Sequence, residues 1–389
     1  MNKDFEYVAV DFNPFGENEI EKVTITNEPQ RELWLSCILG GDEASLAYNE
    51  SVSLELRGVF YQDAFKKAIN SLITRHEALR STVSKNGENL IIYKELSSSI
   101  IIDDLTGIDS DKRLNNFHEF IRKEMATPFD LYEGPLFRIY LHKIEENVHY
   151  FTLIIHHIIG DGWSIGIILE DLSKMYNSYV HGTLPQLEPA EQISDYTLQQ
   201  INFTNSSEYI ETQNFWIDKY KNNVPALDLP IDYTRPSVRT YTGQRNDYIL
   251  NNDLLNPIKL LSAKAGSSVV ITLLSVFEIL LHHRTGQQDI VVGLPSSGQA
   301  ATGNFGLVGH CVNLLPLDSK VDPKSSFLDY LKRRKGEVYD AYDFQRLTFS
   351  ELLKKLPIKR DKAHIPLVPI VFNIDMGMDE KVSFDGLTH

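Results

Sequence analysis

Apolar residues recur with a period of two in some stretches of this chain and of three to four in others, and the two periods alternate along most of its length. Asn49 to Arg57 alternates as a half-buried strand. Phe65, Ala68, Ile69, Leu72, Ile73, His76 and Leu79 follow at helical spacing and predict an amphipathic helix over 62–80. Leu136 to Ile144 and Val148 to His157 read as two strands joined in a hairpin at Glu145-Glu146-Asn147. Ile165, Ile168, Leu169, Leu172, Met175 and Tyr176 predict a helix after Trp163, stopping near His181-Gly182 with Pro185 beyond. In the second half, Glu211 to Lys221 reads as a helix, Asp228 to Pro236 as loop, and Val269 to His283 as a long apolar helix buried on most sides. Asp289 to Leu294, Gly306 to Leu317 and Val368 to Ile374 read as strands, and Ser326 to Tyr342 as a charged amphipathic helix.

Strands alternate with helices in both halves, so the expected class is α/β with two lobes. Residues 1–24 are acidic, carry the turn signal Asn13-Pro14-Phe15-Gly16, and read as a lead-in or linker. Residues 25–182 then form an N-terminal lobe, the polar, proline-broken stretch 183–210 connects, and 211–389 forms a C-terminal lobe.

Composition narrows the function classes. Of 389 residues, 42% are hydrophobic and 23% charged, which suffices for a large core in two lobes. A net charge of −15 and a pI near 5.3 oppose a nucleic-acid partner. Two cysteines, Cys37 and Cys311, make no disulfide framework. The N-terminus lacks a signal pattern and the apolar runs are too short to span a membrane, so the expected protein is soluble and cytoplasmic; a monomer is the expected state.

The candidate chemistry gathers where the strand 148–157 gives way to the following helix, at His156-His157-Ile158-Ile159-Gly160-Asp161-Gly162-Trp163-Ser164. Strand alternation sends His156 and His157 to opposite faces, so the two imidazoles have different jobs: one faces a cleft and the other packs inside. The same divergence weakens a zinc reading, because zinc ligands must converge and no matching Cys or His set is nearby. Asp161 fits either an N-cap or a partner for a cation, and Gly162 permits a sharp strand-to-helix turn. A neutral histidine at the strand end is suited to accept or orient a proton.

That nonapeptide resembles the HHxxxDGxS signature of condensation domains of nonribosomal peptide synthetases. Asn27-Glu28-Pro29-Gln30-Arg31-Glu32-Leu33-Trp34 resembles the family's opening AQxRLW motif, and Arg75-His76-Glu77-Ala78-Leu79-Arg80-Ser81-Thr82 its RHExLRTxF motif. Gly309-His310-Cys311-Val312-Asn313 resembles GxFVNT, and Pro366 to Asn373 the late PL…FN motif. The match runs in order over about 25–375. It departs where Gln199 and Ile193 replace the Trp and Tyr of YxDYAxWQ, where Cys311 replaces a Phe, and where Gln345-Arg346-Leu347-Thr348-Phe349 loosely copies HQxxPF. Relatives usually continue further, so the resemblance implies a fragment with an incomplete second lobe.

The resemblance implies two chloramphenicol acetyltransferase-like lobes in a V-shaped pseudo-dimer, with the histidine motif at a tunnel between them. It also implies amide formation between a donor acyl or aminoacyl thioester and an acceptor amine. Donor and acceptor carrier proteins are the implied partners, beside neighbouring synthetase domains. No cofactor is held by the domain; the phosphopantetheine arms come with the carriers. His157 then orients or deprotonates the amine, Gly162 lends an N–H to the tetrahedral oxygen, and His156, Trp163 and Asn313 support the site. Asp161 is implied to form a structural salt bridge to an arginine of the RHExLR segment, Arg80 first and Arg75 second. The segment 11–16 and the Gly309–Asn313 variant resemble domains of mixed polyketide–peptide assembly lines, which leaves a polyketide acyl donor open beside a peptidyl one.

Rival readings share the fold or the surface. Epimerisation domains carry the same His-His-three-Asp but read DGVSW and lack the RHExLR segment; heterocyclisation domains replace the histidines with Asp. A coenzyme A acyltransferase of the plant type needs a DFGWG motif, for which Phe384-Asp385-Gly386-Leu387 is a poor substitute. A silent carrier-docking or gating domain is the rival from another class. His282-His283 reads as a helix-end pair, Lys332-Arg333-Arg334-Lys335 as a solvated basic face, and Cys311 as a packed small residue.

Overall fold

A computed structural model of the chain describes residues 19–96, 99–221, 226–238, 240–249, 251–358, 365–374 and 381–389. The turn signal at Asn13 to Gly16 lies outside these residues.

The elements run β1 (Ile20–Ile25), α1 (Glu28–Leu46), β2 (Asn49–Gly58), α2 (Gln62–Arg75), β3 (Ser81–Val83), β4 (Asn89–Tyr93), β5 (Ile100–Asp104), α3 (Ser110–Met125), β6 (Phe137–Glu145), β7 (Val148–His156), α4 (Gly162–Val180) and α5 (Ile193–Thr204). They continue with α6 (Ser207–Tyr220), α7 (Asn252–Ala265), α8 (Val269–Thr285), β8 (Asp289–Ser297), α9 (Gly298–Thr302), β9 (Val312–Lys320), α10 (Phe327–Asp343), α11 (Phe349–Lys355) and β10 (Leu387–Thr388). The fold is mixed α/β. No single helix among the described residues is long and apolar enough to cross a membrane.

The chain divides into two compact units, and the division does not follow chain order. The first unit holds the residues up to Asn202, then takes back Gly303–Cys311 and the C-terminal residues 381–389. Its larger sheet has the order β10-β2-β7-β6-β5, and a smaller one has the order β1-β4-β3. β7 lies antiparallel between β2 and β6, with Asn49 opposite His156 and Glu50 opposite Ile155. Phe65 of α2, Phe151 of β7 and Tyr176 of α4 meet in one core cluster. The returning C-terminus covers the free edge of β2 through Leu387 and Thr388, and Phe384 packs on Tyr176.

The second unit is built on the antiparallel pair β8–β9, with a further parallel bridge from Gly293 to Val371. The expected strand over 368–374 is reduced to that bridge, closed by Gly293 N–H to the Ile370 carbonyl and Phe372 N–H to the Gly293 carbonyl. α8 is less enclosed than its composition predicts: Val276 and Leu280 are half exposed. Its buried side carries Glu278, whose Oε1 is 2.7 Å from Arg334 and whose Oε2 accepts from Tyr330 Oη at 2.7 Å. Arg334 is therefore not part of a solvated basic face. It shares the inner face of α10 with Tyr330, Leu331, Val338 and Ala341, at spacings of three and four, and also donates to the Asp318 carbonyl. Asn313 belongs to this unit, where its amide donates to the Gln345 and Leu347 carbonyls and accepts from Phe349 N–H; it staples the start of α11 to β9.

Other expectations are corrected by side chains that the periodicity cannot weigh. The helix predicted over 62–80 stops at Arg75, His76 is extended, and Glu77–Arg80 forms a single 3₁₀ turn. The break lets Arg75 Nε and His76 Nε2 share Asp171 Oδ2, at 2.8 and 3.0 Å. The stretch 1–24 includes most of β1, which pairs with β4. The stretch 183–210 is not a free connection. It contains α5, whose Ile193 and Tyr196 enter the first unit's core. Gln192 also bonds Glu77 N–H and the Arg75 carbonyl.

Neither Arg80 nor Arg75 takes Asp161 as its salt-bridge partner, against expectation. Arg80 bonds Glu21 at 2.6 Å and the Tyr93 carbonyl, and Arg75 is held by Asp171 and the Glu188 carbonyl. Asp161 is the N-cap of α4. Oδ1 accepts from Ser164 N–H at 2.9 Å and Ser164 Oγ at 2.7 Å, while Oδ2 accepts from Cys311 N–H at 3.1 Å. At a helix start, exposed N–H groups supply the positive end that a guanidinium was expected to supply. Ser164 Oγ and Gly309 add a reciprocal pair at 3.0 Å, so the returning segment 303–311 is fastened to the start of α4.

Both buried carboxylates can be tested by substitution. Asp161→Ala loses a cap, about 0.5–2 kcal/mol, and orphans Cys311 N–H, about 1–3 kcal/mol. Thermal melts should show a clear fall, largely restored by Asp161→Asn, which keeps the acceptor toward Ser164; an unchanged Asp161→Ala melt refutes the capping role. In the second unit, Arg334→Ala strands a buried carboxylate and should cost about 3–5 kcal/mol. The double change Glu278→Leu with Arg334→Met should cost less than Arg334→Ala alone, as read by urea denaturation.

Candidate active site

β7 delivers the two histidines to different environments. His156 ends the strand fully buried. Its Nδ1 accepts from Ile158 N–H at 3.2 Å, so its proton sits on Nε2, which faces Ser45 Oγ at 3.5 Å and Cys37 Sγ at 3.9 Å. Burial, then the neighbouring charge of His157, pushes its pKa down to about 3. It is a neutral structural ring.

His157 lies one residue beyond the strand, its N–H bonded to the Tyr48 carbonyl at 2.8 Å. Its side chain keeps 22% of its surface exposed, so it is the accessible member of the pair, as alternation predicts. Nδ1 is turned inward without a hydrogen bond of normal geometry, with its own backbone carbonyl as the acceptor it feels. Nε2 lies 3.1 Å from Glu50 Oε1. Burial pulls this pKa down, but the hydrogen bond and charge of Glu50, with the charge of Asp161, more than offset it, and the net shift is upward.

A third imidazole, His310, meets His157 edge to face with ring centroids 4.7 Å apart. Burial, then the charges of His157 and His156, holds its pKa well below the usual range. His157 is therefore the one ring of these three suited to carry a proton near neutrality. Cys311 is buried with its thiol pKa driven up by desolvation, which rules it out as a thiolate nucleophile.

The turn that aims these groups is tight. A Cβ on Gly160 would lie 2.8 Å from Ile155 Cδ1, so the backbone at Gly160 makes a close approach to the strand end. Gly162 is the first residue of α4. Asp161 takes the Ser164 and Ile165 N–H groups, leaving those of Gly162 and Trp163 as the first-turn donors without a helical partner. Trp163 packs near Phe305 and donates Nε1–H to its carbonyl at 3.0 Å. The cap of α1 holds both sides of the site: Asn27 Nδ2 donates to the His310 carbonyl and Gln30 Nε2 to the Ile158 carbonyl. A Cβ on Gly309 would lie 2.5 Å from Ile193, so this segment is packed against α5 as well.

Asn313, Arg75 and Arg80 are committed elsewhere. Glu50 and His310 were not among the residues singled out from sequence. Glu50 was visible as a charge in the apolar phase of β2, in step with Val52, Leu54 and Leu56. His310 lies in the Gly309–Asn313 motif, but nothing in that motif pairs its imidazole with His157. Among the described residues no three His, Cys, Asp or Glu side chains are placed to hold a metal ion.

Comparison with known proteins gives the family. The family model described as "Condensation domain" matches residues 20–385. A component of the linear gramicidin synthase of Brevibacillus parabrevis is 34% identical over 358 residues, covering 90% of this chain and 7% of that protein. A component of the surfactin synthase of Bacillus subtilis is 31% identical over 363 residues, covering 93% and 10%. The chain thus spans a tenth or less of these relatives' length. Among solved structures, the condensation domain of the monacolin K polyketide synthase MokA superposes with a TM-score of 0.84 at 19% identity, covering 96% of this chain and 86% of that one. A four-domain holo nonribosomal peptide synthetase bound to AMP and glycine gives 0.81 at 21% identity, covering 95% and 28%. With its histidine turn and its matched span in agreement, the chain belongs to the condensation-domain family of nonribosomal peptide synthetases.

Proposed function

We propose that this domain forms an amide bond between a donor acyl or aminoacyl thioester and the amine of an acceptor aminoacyl thioester, both carried on the phosphopantetheine arms of carrier proteins. The observation that carries this reading is His157: a partly exposed imidazole with raised pKa, its Nε2 directed at a carboxylate, beside a partner histidine locked neutral in the core.

Aminolysis of a thioester is downhill, and alignment of amine and carbonyl supplies much of the rate. The amine nitrogen attacks the thioester carbon, the C–N bond forms and the C–S bond breaks. The proton lost by nitrogen passes to His157 Nε2 and is available to the departing sulfur. Gly162 N–H, at the positive end of α4, is the proposed donor to the tetrahedral oxygen. The neutral groups packed around the site, His156 and His310, raise no competing proton acceptor near physiological pH.

His157→Ala should leave the fold intact and lower amide formation by roughly 10²–10⁴-fold, the range for a positioned acid–base group. An acceptor amine of low pKa, already unprotonated, should lose less rate than a basic one; equal losses at every pH would mean that His157 only orients. No loss at all, with loaded carriers still bound, would favour a docking or gating module. The pH dependence has a definite sign. Nε2 must be unprotonated to accept a proton, and its pKa is raised, so kcat/KM should fall on the acidic side through a pKa above the ordinary imidazole value of about 6.5. A profile flat across that region would remove His157 as a base.

A further inference from the structure

Glu50 stands where a charged side chain is costly unless it is used. It is the second residue of β2, in the apolar phase of that strand and opposite Ile155, on the last rungs before the histidine turn. The strand end beneath it is fixed, because Asn49 Nδ2 donates to the Met125 and Thr127 carbonyls. Its Oε1 bonds His157 Nε2, and no other described residue bonds the carboxylate. The side chain keeps 34% of its surface exposed, so the carboxylate that meets Nε2 is not sealed in the core.

The charges around His157 can be enumerated by element. Glu50 comes from β2, Asp161 from the start of α4, His156 from the end of β7 and His310 from the returning segment. The two histidines are neutral. Asp161 is consumed by Ser164 and Cys311. Glu50 is therefore the carboxylate with spare capacity beside the reacting nitrogen. An α-amine, with a pKa of about 7.7–8.0 in model compounds, reaches such a site largely as ammonium near neutral pH and needs a counter-ion before it needs a base.

We propose that Glu50 is the binding group for the acceptor's ammonium, exchanging the imidazolium of His157 for it. This rests on the amide-forming reading above. The proton balance closes: the ammonium takes the Glu50 carboxylate, His157 releases its Nε2 proton to water, and Nε2 then accepts a proton from the ammonium. The neutral amine attacks, C–N forms and C–S breaks; Nε2 gives its proton to the departing sulfur, which leaves as the thiol, and takes the second nitrogen proton, so that one proton is released to solvent per amide formed. Glu50 thereby selects amine over hydroxyl or unsubstituted acyl acceptors, and favours the protonated form of His157 while no acceptor is present.

The test compares two non-hydrolysable acceptor arms, alanyl and propionyl pantetheine amides, titrated calorimetrically against the whole protein without donor. Wild type should bind the alanyl arm more tightly by about 10- to 100-fold, the range for a charge-assisted hydrogen bond. Glu50→Gln should abolish that preference while leaving propionyl affinity unchanged, and Glu50→Asp should keep part of it. In turnover, Glu50→Gln should raise the acceptor KM more than it lowers kcat. It should also move the acidic limb to lower pH, because the group that raises the His157 pKa is gone. A preference that survives Glu50→Gln, or a limb that does not move, overturns the proposal. If wild type discriminates as expected but forms no amide with loaded carriers, the reaction reading fails while the ammonium site stands; if amide forms and discrimination is indifferent to Glu50→Gln, the reverse holds.

Discussion

The site depends on a carboxylate held by backbone and hydroxyl donors. Asp161 caps α4 with one oxygen and holds Cys311 N–H with the other. One side chain thereby sets where the helix begins, how the histidine turn ends and where a segment from much later in the chain must lie. Because these donors are neutral, they fix the turn without adding a positive charge beside His157. A guanidinium in that position would depress the imidazole pKa. The capping arrangement leaves the carboxylates to raise it.

The three histidines then divide by solvation. His156 and His310 lose their charged forms to burial, and His157, less enclosed and beside Glu50, keeps access to its own. The same imidazole chemistry thus gives two rings held neutral and one whose charged form is favoured. The opening helix supplies the clamp, with Asn27 giving its side-chain amide to the His310 carbonyl and Gln30 its amide to the Ile158 carbonyl.

Much of this was legible in the residues. Alternation along β7 separates the roles of His156 and His157, and the turn signals bracket β6, β7 and α4 closely. Other features failed for physical reasons. α1 escaped because Leu35, Ile38 and Leu39 are exposed while Leu33 and Cys37 are buried, so its apolar period is blurred. The RHE segment looked like continuous helix because His76 keeps the helical phase, while the bonds that break it run to Asp171, Gln192 and Lys22. The arginine partner was misassigned because a sequence shows that an aspartate and an arginine exist but not which aspartate is left over; Asp171 takes Arg75, and Asp161 is occupied. Arg334 read as surface because three basic neighbours outweigh one inward helical position. Glu50 was a visible exception to its strand's pattern, and exceptions of that kind mark places where burial is being offset by a specific contact.

The return of residues 303–311 and 381–389 to the first unit has a consequence for how the protein is made. A chain emerging from the ribosome N-terminus first could form β2, β6, β7 and α4 early. Cys311 N–H, the edge-covering β10 and Phe384 arrive only after much of the second unit has been synthesised. The first unit is therefore a fold of high contact order that waits for its last strand, with the β2 edge uncovered and the Asp161 carboxylate lacking its Cys311 donor in the interval. A nascent chain that ends before residue 311 therefore carries the motif and its local cap, but without the hydrogen bonds to Gly309, His310 and Cys311.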